Sequence, residues 1–281
     1  MEIIMEKIRI VTDSSSDITA LDMIDFAFAP MKVITKEREF CDDTSLDVSE
    51  MVSFLLKYKG RSQSSCPNVT EWLNAFEGAE RIICITITSG MSGSFNSASA
   101  AARQYESEGR GRVFVLDSLS AGPEITLITR RVAELIQEGL SFDEICEGAR
   151  EYAKTTGLVF MLKSLKNFAN NGRISPIVAK IVGIAGICIV GRASDGGTLE
   201  PMQKCRGERR ALIAICDELA SRGVSSGRIS IGHCNNEAGA NTLAGMLRKR
   251  FEGADIEIHP MRGLCSFYAE DGGVLVGYER A

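Results

Sequence analysis

The chain has 281 residues, 44% of them apolar and 25% charged, with a formal net charge of −5. At roughly 150 residues per domain this length predicts two domains, with enough core to need no disulfide staples. The acidic balance excludes a nucleic-acid or membrane-surface binder that works by overall positive charge.

The start, MEIIMEKIRIVTD, carries glutamates and no long apolar segment, so it does not read as a signal peptide. Residues 8–12 are a short β-branched run ending in Asp13-Ser14-Ser15-Ser16, and residues 29–35 are a weaker strand candidate. Asp47-Val48-Ser49-Glu50 has the capping-box pattern, and Met51, Phe54, Leu55 and Tyr58 follow at helical spacing. The hydroxyl-rich run Ser62-Gln63-Ser64-Ser65-Cys66-Pro67-Asn68 leads into a helix carrying Trp72. Residues 82–88 are apolar almost throughout, as a strand covered on both faces should be. A helix is predicted over 94–105, with Phe95, Ala98, Ala102 and Tyr105 on one face. Residues 112–116 form the next strand, ending in Asp117-Ser118, and a helix over 124–137 stops near Gly139. Ser141-Phe142-Asp143-Glu144 is a second capping box, opening a helix to about Lys154 with Gly157 past its end. Strands alternating with helices predict βαβ units and a mostly parallel sheet.

The second half differs. Asn170-Asn171-Gly172 marks a turn. Residues 181–191 are the most apolar stretch, too short for a bilayer and broken by glycines. Strands over 187–192 and 198–204 flank Asp195-Gly196-Gly197, a hairpin signal. A helix over 208–221, a strand over 229–233, a helix over 238–251 and strands near 255–259 and 273–278 complete the chain. The expected fold class is α/β in two domains. Residues 1–157 form a parallel-sheet domain, and 158–281 a second α/β domain with an antiparallel element.

The nine cysteines (41, 66, 84, 146, 188, 205, 216, 234 and 265) are scattered, with no C-x-x-C pair, and only two histidines, His233 and His259, are present. That pattern argues against a disulfide framework or a zinc site and for small apolar thiols in a reducing cytoplasm. The G-x-x-x-x-G-K-[ST], G-x-G-x-x-G and G-x-S-x-G motifs are absent, which removes the main support for ATP, dinucleotide and esterase readings.

In open parallel sheets ligands sit beyond the carboxyl ends of the strands. Three small-polar clusters fall there: Asp13 to Ser16, Thr88-Ser89-Gly90-Met91-Ser92-Gly93-Ser94, and Asp117 to Ser120. Glycines allow close backbone approach, and the helix that follows the second cluster offers unpaired N–H groups to a carboxylate or phosphate. Capping and turn formation account for such serines equally well. Asp13 and Asp117 fit strand-end caps better than acid–base groups, and His233 and His259 fit structural positions. Arg173 and Arg206 adjoin turn signals, where arginine is ordinarily solvated.

In order along the chain, the segments VTDSSSDI, SSCPN, SGMSGSFNSA, VLDSLSAG, LKNFANNGRIS, LEPMQKCRG and RGLCSFYAEDGGVLVGY resemble the motifs of the DegV family of fatty-acid-binding proteins, over nearly the full length. The resemblance implies two α/β domains enclosing one long-chain fatty acid, with no cofactor and no catalytic residue. Its carboxylate would be held at Ser64, Ser65, Ser92, Gly93 and Ser94, and its chain would lie in an apolar tunnel. It further implies a separate ATP-dependent fatty-acid kinase as partner, with Arg173 and Arg206 near the head group or the kinase-docking face. Tyr268 stands where the family often has histidine; a phenol donates a hydrogen bond but carries no positive charge at neutral pH. Ser64 and Ser94 replace threonines, Asn68 a serine and Asn171 a glycine. Two alternatives stay open on the residues alone: a phosphoryl- or acyl-transfer enzyme using Asp13 and Asp117, and a regulatory module for another small carboxylate.

Overall fold

The computed structural model describes residues 7–174 and 186–280. Ser175 and residues 1–6 and 181–185, which figure in the sequence expectations, lie outside the described residues.

Strands β1 (Ile8–Asp13), β2 (Asp25–Ala29), β6 (Arg81–Thr86) and β7 (Arg112–Asp117) form an all-parallel sheet in the order β2-β1-β6-β7. Its continuous apolar runs have a direct cause. Ile82 and Cys84 pack against α2 (Val69–Phe76) and α3 (Ser94–Ser107), with Trp72, Phe76 and Tyr105 in the same cluster. Ile83 and Ile85 point the other way, into α4 (Pro123–Gln137) and α5 (Phe142–Thr155). A strand buried on both faces cannot alternate apolar with polar.

The second sheet has six strands: β8 (Thr156–Leu162), β9 (Ile187–Ala193), β10 (Leu199–Arg206), β11 (Arg228–His233), β12 (Asp255–Pro260) and β13 (Val274–Glu279). Their order is β10-β9-β8-β13-β11-β12, antiparallel except for the β11–β12 pair. Helices α7 (Glu208–Ser221) and α8 (Glu237–Arg250) cover one face. The opposite face looks toward α4 and the parallel sheet. A third, small antiparallel sheet joins β3 (Lys32–Ile34), β4 (Glu39–Cys41) and β5 (Gln63–Ser65). Behind it pack α1 (Val48–Lys57) and α9 (Gly263–Ala269). The short helix α6 (Lys166–Asn170) follows β8. Among the described residues no helix is long and apolar enough to cross a membrane.

Three local expectations differ from the structure. Residues 29–35 are not one strand: Ala29 ends β2, Pro30 lacks the N–H a ladder needs, and Lys32 begins β3 in another sheet. Gly157 is no helix stop, because α5 passes into β8 at Thr156 and Gly157 is a strand residue on which the Tyr278 ring lies. Asp47 caps the Glu50 N–H of α1 at 2.9 Å, but the Glu50 carboxylate pairs with Arg38 and leaves the box half closed. The full boxes are Ser141/Glu144 on α5 and Asn68/Glu71 on α2.

Candidate functional site

A cavity of about 310 Å³ lies between the carboxyl-end loops of the parallel sheet, strand β5, helix α9 and the inner face of the six-stranded sheet. That size falls at the lower end for small-molecule sites, ~300–1,000 Å³. Leu158, Phe160 and Leu162 of β8, Leu275 of β13 and Leu264 of α9 make its wall apolar. Alternation along β8 explains this, since Val159 and Met161 point instead into the core beneath α7 and α8.

The polar lining is concentrated. Ser64 and Ser65 come from β5, Ser92 and Gly93 from the loop before α3, Tyr268 from α9, and Arg173 from the segment after α6. The Ser64 Oγ and Tyr268 Oη lie 2.7 Å apart, and the Ser64 N–H donates to Asn171 Oδ1 at 3.2 Å. Arg173 Nε donates to the Met91 carbonyl at 3.2 Å, and its Nη1 donates to the Asn171 carbonyl. Among the described residues the partners of Arg173 are thus backbone carbonyls, which leave its charge uncompensated. Gly93, the N-cap of α3, makes no side-chain capping bond, so the first N–H groups of that helix depend on other partners. The Tyr268 ring is wedged against Phe168 and Phe267, with centroids 4.6 and 4.9 Å away. Burial pushes its phenol above the ordinary range, although the Ser64 bond and Arg173 pull the other way, so it stays a neutral donor.

Beneath this lining Asp13 ties the ends of β1 and β6 to the start of α3. It accepts the Ile87 N–H at 2.9 Å, the Ser94 Oγ–H at 2.6 Å, the Ser15 N–H at 3.2 Å and the Ser15 hydroxyl. Burial pushes its pKa up against these bonds. Asp117 accepts the Ser89 and Leu119 N–H groups at 3.0 and 3.1 Å. Both aspartates are therefore caps at strand ends, and neither lines the cavity.

Of the residues singled out in the sequence, Ser64, Ser65, Ser92, Gly93, Tyr268 and Arg173 share this cavity. Ser94 is fully buried below it, with its hydroxyl committed to Asp13 and its N–H directed at Ser92 Oγ, 3.2 Å away. Arg206 is exposed at the end of β10, off the cavity. Sequence reasoning missed two contributors. Asn171 was read only as a turn former, yet its side chain bonds Ser64 N–H, the Ser62 carbonyl at 3.3 Å and the Asn167 carbonyl at 2.8 Å. Cys66 lines the cavity beside Gly93, and burial pushes its thiol up. Its place inside the SSCPN run was the available signal. His233 and His259 are absent from the lining, and among the described residues no three His, Cys, Asp or Glu side chains are placed to hold a metal ion. All nine cysteines are free, and seven are buried.

The chain is similar to known proteins over nearly its whole length. A family model described as uncharacterised protein, DegV family, matches residues 7–280. A DegV domain-containing protein of Streptococcus pneumoniae is 41% identical over 276 residues, covering 96% of this chain and 98% of that one. A DegV family protein from Eubacterium eligens, solved loaded with heptadecanoic acid, is 40% identical and superposes with a TM-score of 0.95 over 98% of this chain and 100% of that one. The Streptococcus pneumoniae Fatty Acid Kinase (Fak) B3 protein, solved loaded with linoleic acid, matches with the same identity, TM-score and coverage.

Proposed function

The chain belongs to the DegV family, and from that premise we propose that it binds one long-chain fatty acid and carries it to a separate ATP-dependent fatty-acid kinase. The observation that carries this reading is an apolar cavity whose polar lining holds hydroxyls, N–H groups, Arg192 paired with Glu200, and the Arg173 guanidinium, whose partners among the described residues are backbone carbonyls. That lining suits a single carboxylate. Each buried CH₂ of an acyl chain contributes about 0.8 kcal/mol, so the tail supplies the affinity and the head group needs only orientation.

In this reading Ser64, Ser65, Ser92 and the Gly93 N–H bind the carboxylate, Tyr268 donates beside Ser64, and Arg173 supplies the countercharge. Ser94 acts through Asp13 to fix the loop. The carrier makes and breaks no covalent bond. The kinase-bound role is supported by the name of the Fak B3 relative and by Arg206, exposed at one end of β10. The division at residue 157 is supported by the passage from α5 into the six-stranded sheet at Thr156. A cytoplasmic location is supported by nine unpaired cysteines.

Native mass spectrometry of the purified protein tests the reading. A mass increment equal to one long-chain fatty acid is expected, and Ser92→Ala is expected to weaken uptake of oleate. A protein that is empty and takes up neither palmitate nor oleate would overturn it.

A further inference from the structure

The hairpin formed by β9 and β10 reaches across the cavity and touches the parallel-sheet side with its tip. The tip is self-contained: Ser194 N–H donates to the Thr198 carbonyl and Gly197 N–H to the Ser194 carbonyl, both at 2.8 Å, and the Ser194 and Thr198 hydroxyls lie 2.8 Å apart. Gly197 is buried, with φ +70°, in the saddle between Thr88 and Leu119. There the Thr88 hydroxyl donates to the Gly197 carbonyl at 2.8 Å.

The seat has no room for a side chain on either partner. A Cβ at Gly197 would collide with Thr88 Oγ1, and one at Gly90 would stand 2.7 Å from the Gly196 carbonyl oxygen. Gly196 is exposed, and a Cβ there meets only Ser194 Oγ, at 3.9 Å. The contact is therefore backbone against backbone, Gly90 against Gly196 and Gly197, and only the side-chain direction at position 196 points away from it.

Three features make this contact releasable. Among the described residues, Thr88–Gly197 is the tip's one hydrogen bond to the parallel-sheet side. Strand β10 is an edge strand, exposed from Pro201 to Lys204. A bulge between Pro201 and Gln203 interrupts its pairing with β9, and such irregularities bend a strand and break its ladder locally. The tip is also a wall: Ala193, Gly197, Thr198 and Leu199 all line the cavity.

We infer that the tip of the β9–β10 hairpin, residues 193–199 beyond the last β8–β9 pair at Arg192, is a latched lid, held shut by the Thr88–Gly197 bond and the seat of Gly90 against Gly196 and Gly197, and that the ligand enters and leaves when the tip lifts. The inference rests on the fatty-acid reading for the ligand's identity, not for the motion. A gate raises association and dissociation rates together when its closed state is weakened, whereas loss of an ordinary wall contact raises dissociation alone.

Stopped-flow measurements with cis-parinaric acid, an intrinsically fluorescent long-chain fatty acid, test it on four proteins. Gly90→Ala lies outside the cavity lining and disturbs the seat from the opposite sheet. It is expected to raise both rates about two- to tenfold, the weight of one lost hydrogen bond, with little change in Kd. Thr88→Val, which removes the latch hydroxyl but also alters a cavity-lining side chain, is expected to raise both rates as well, and Gly196→Ala to match the wild type. Unchanged rates in Gly90→Ala, or faster dissociation alone with Kd weakened in proportion, would overturn the lid. Failure of the wild type to bind the probe would instead count against the fatty-acid reading. Hydrogen–deuterium exchange over the tip, residues 193–199, reads the latch without ligand: faster exchange in Gly90→Ala supports it, and equal protection overturns it in either case.

Discussion

Tyr268 shows how one side chain sets the chemistry of the head-group lining. Its phenol lies 2.7 Å from Ser64 Oγ and is kept neutral by burial. A free imidazole titrates near 6.5, and a carboxylate bound beside one at this position would favour its charged form. Tyr268→Phe is expected to weaken fatty-acid binding about two- to tenfold, the usual weight of one hydrogen bond. Tyr268→His is expected to make binding tighten as pH falls from 7.5 to 6, because an imidazolium adds a charge-assisted bond to the carboxylate. A fluorescence titration at several pH values checks both; a flat profile for Tyr268→His would show that residue 268 does not face the head group. At this scale the sequence was informative where a motif was continuous. Serines 64, 65 and 92 reach the cavity as their motifs suggested. Ser94 is two residues from Ser92, yet the first turn of α3 directs its hydroxyl down to Asp13. That difference depends on Asp13, 81 residues away along the chain, and no local pattern contains it.

Among the elements, α1 and α2 differ in how their N-termini are capped. In α2 the box is reciprocal: Glu71 N–H donates to Asn68 Oδ1 at 3.0 Å and Asn68 N–H to Glu71 Oε2 at 2.7 Å. In α1 only the Asp47 half exists. Asn68→Ala is therefore expected to cost about 1 kcal/mol, read as a lower urea midpoint. Glu50→Ala, which removes an exposed pair with Arg38, is expected to leave the midpoint nearly unchanged. The long helices over 94–107, 123–137 and 208–221 were legible because their apolar faces repeat over several turns. Strands β3 to β5 are three residues each, too short to show a period, and α9 follows β12 with only two residues between. These short pieces carry Ser64, Ser65 and Tyr268, so the site was readable as motifs but not as architecture.

At the scale of the molecule, the seam between the sheets holds carboxyl groups largely withdrawn from water. Glu124, buried at the start of α4, accepts the Thr156 hydroxyl at 2.7 Å and is pushed up to about 7 by burial. Asp17 is partly covered as a residue, but its Oδ2 is sealed and has no hydrogen-bond partner among the described residues, and burial pushes it up to about 8 against the Arg262 N–H bond. A raised carboxylate pKa means that the folded protein keeps a proton the unfolded chain releases. Its contribution to stability therefore falls as pH rises from the unfolded value to the folded one, by at most about 1.4 kcal/mol per pH unit per group. His233 and His259, lowered by burial, act in the opposite sense only up to about 6.5. Thermal or urea stability is thus expected to decline between pH 6.5 and 8. Asp17→Asn, which suits the left-handed backbone at φ 58°, is expected to flatten that decline. An unchanged slope in Asp17→Asn would assign the pH dependence elsewhere.

The direct passage from α5 into β8 bears on how such a vessel can be loaded. A pair of jaws needs a joint, and the chain provides no slack there: Thr155 ends the helix, Thr156 begins the strand, and the Thr156 hydroxyl is already pinned to Glu124. That junction is fastened where a hinge would need slack. In the proposed reading, cargo passes through a shutter in the wall, and the head-group donors remain in register between one passenger and the next.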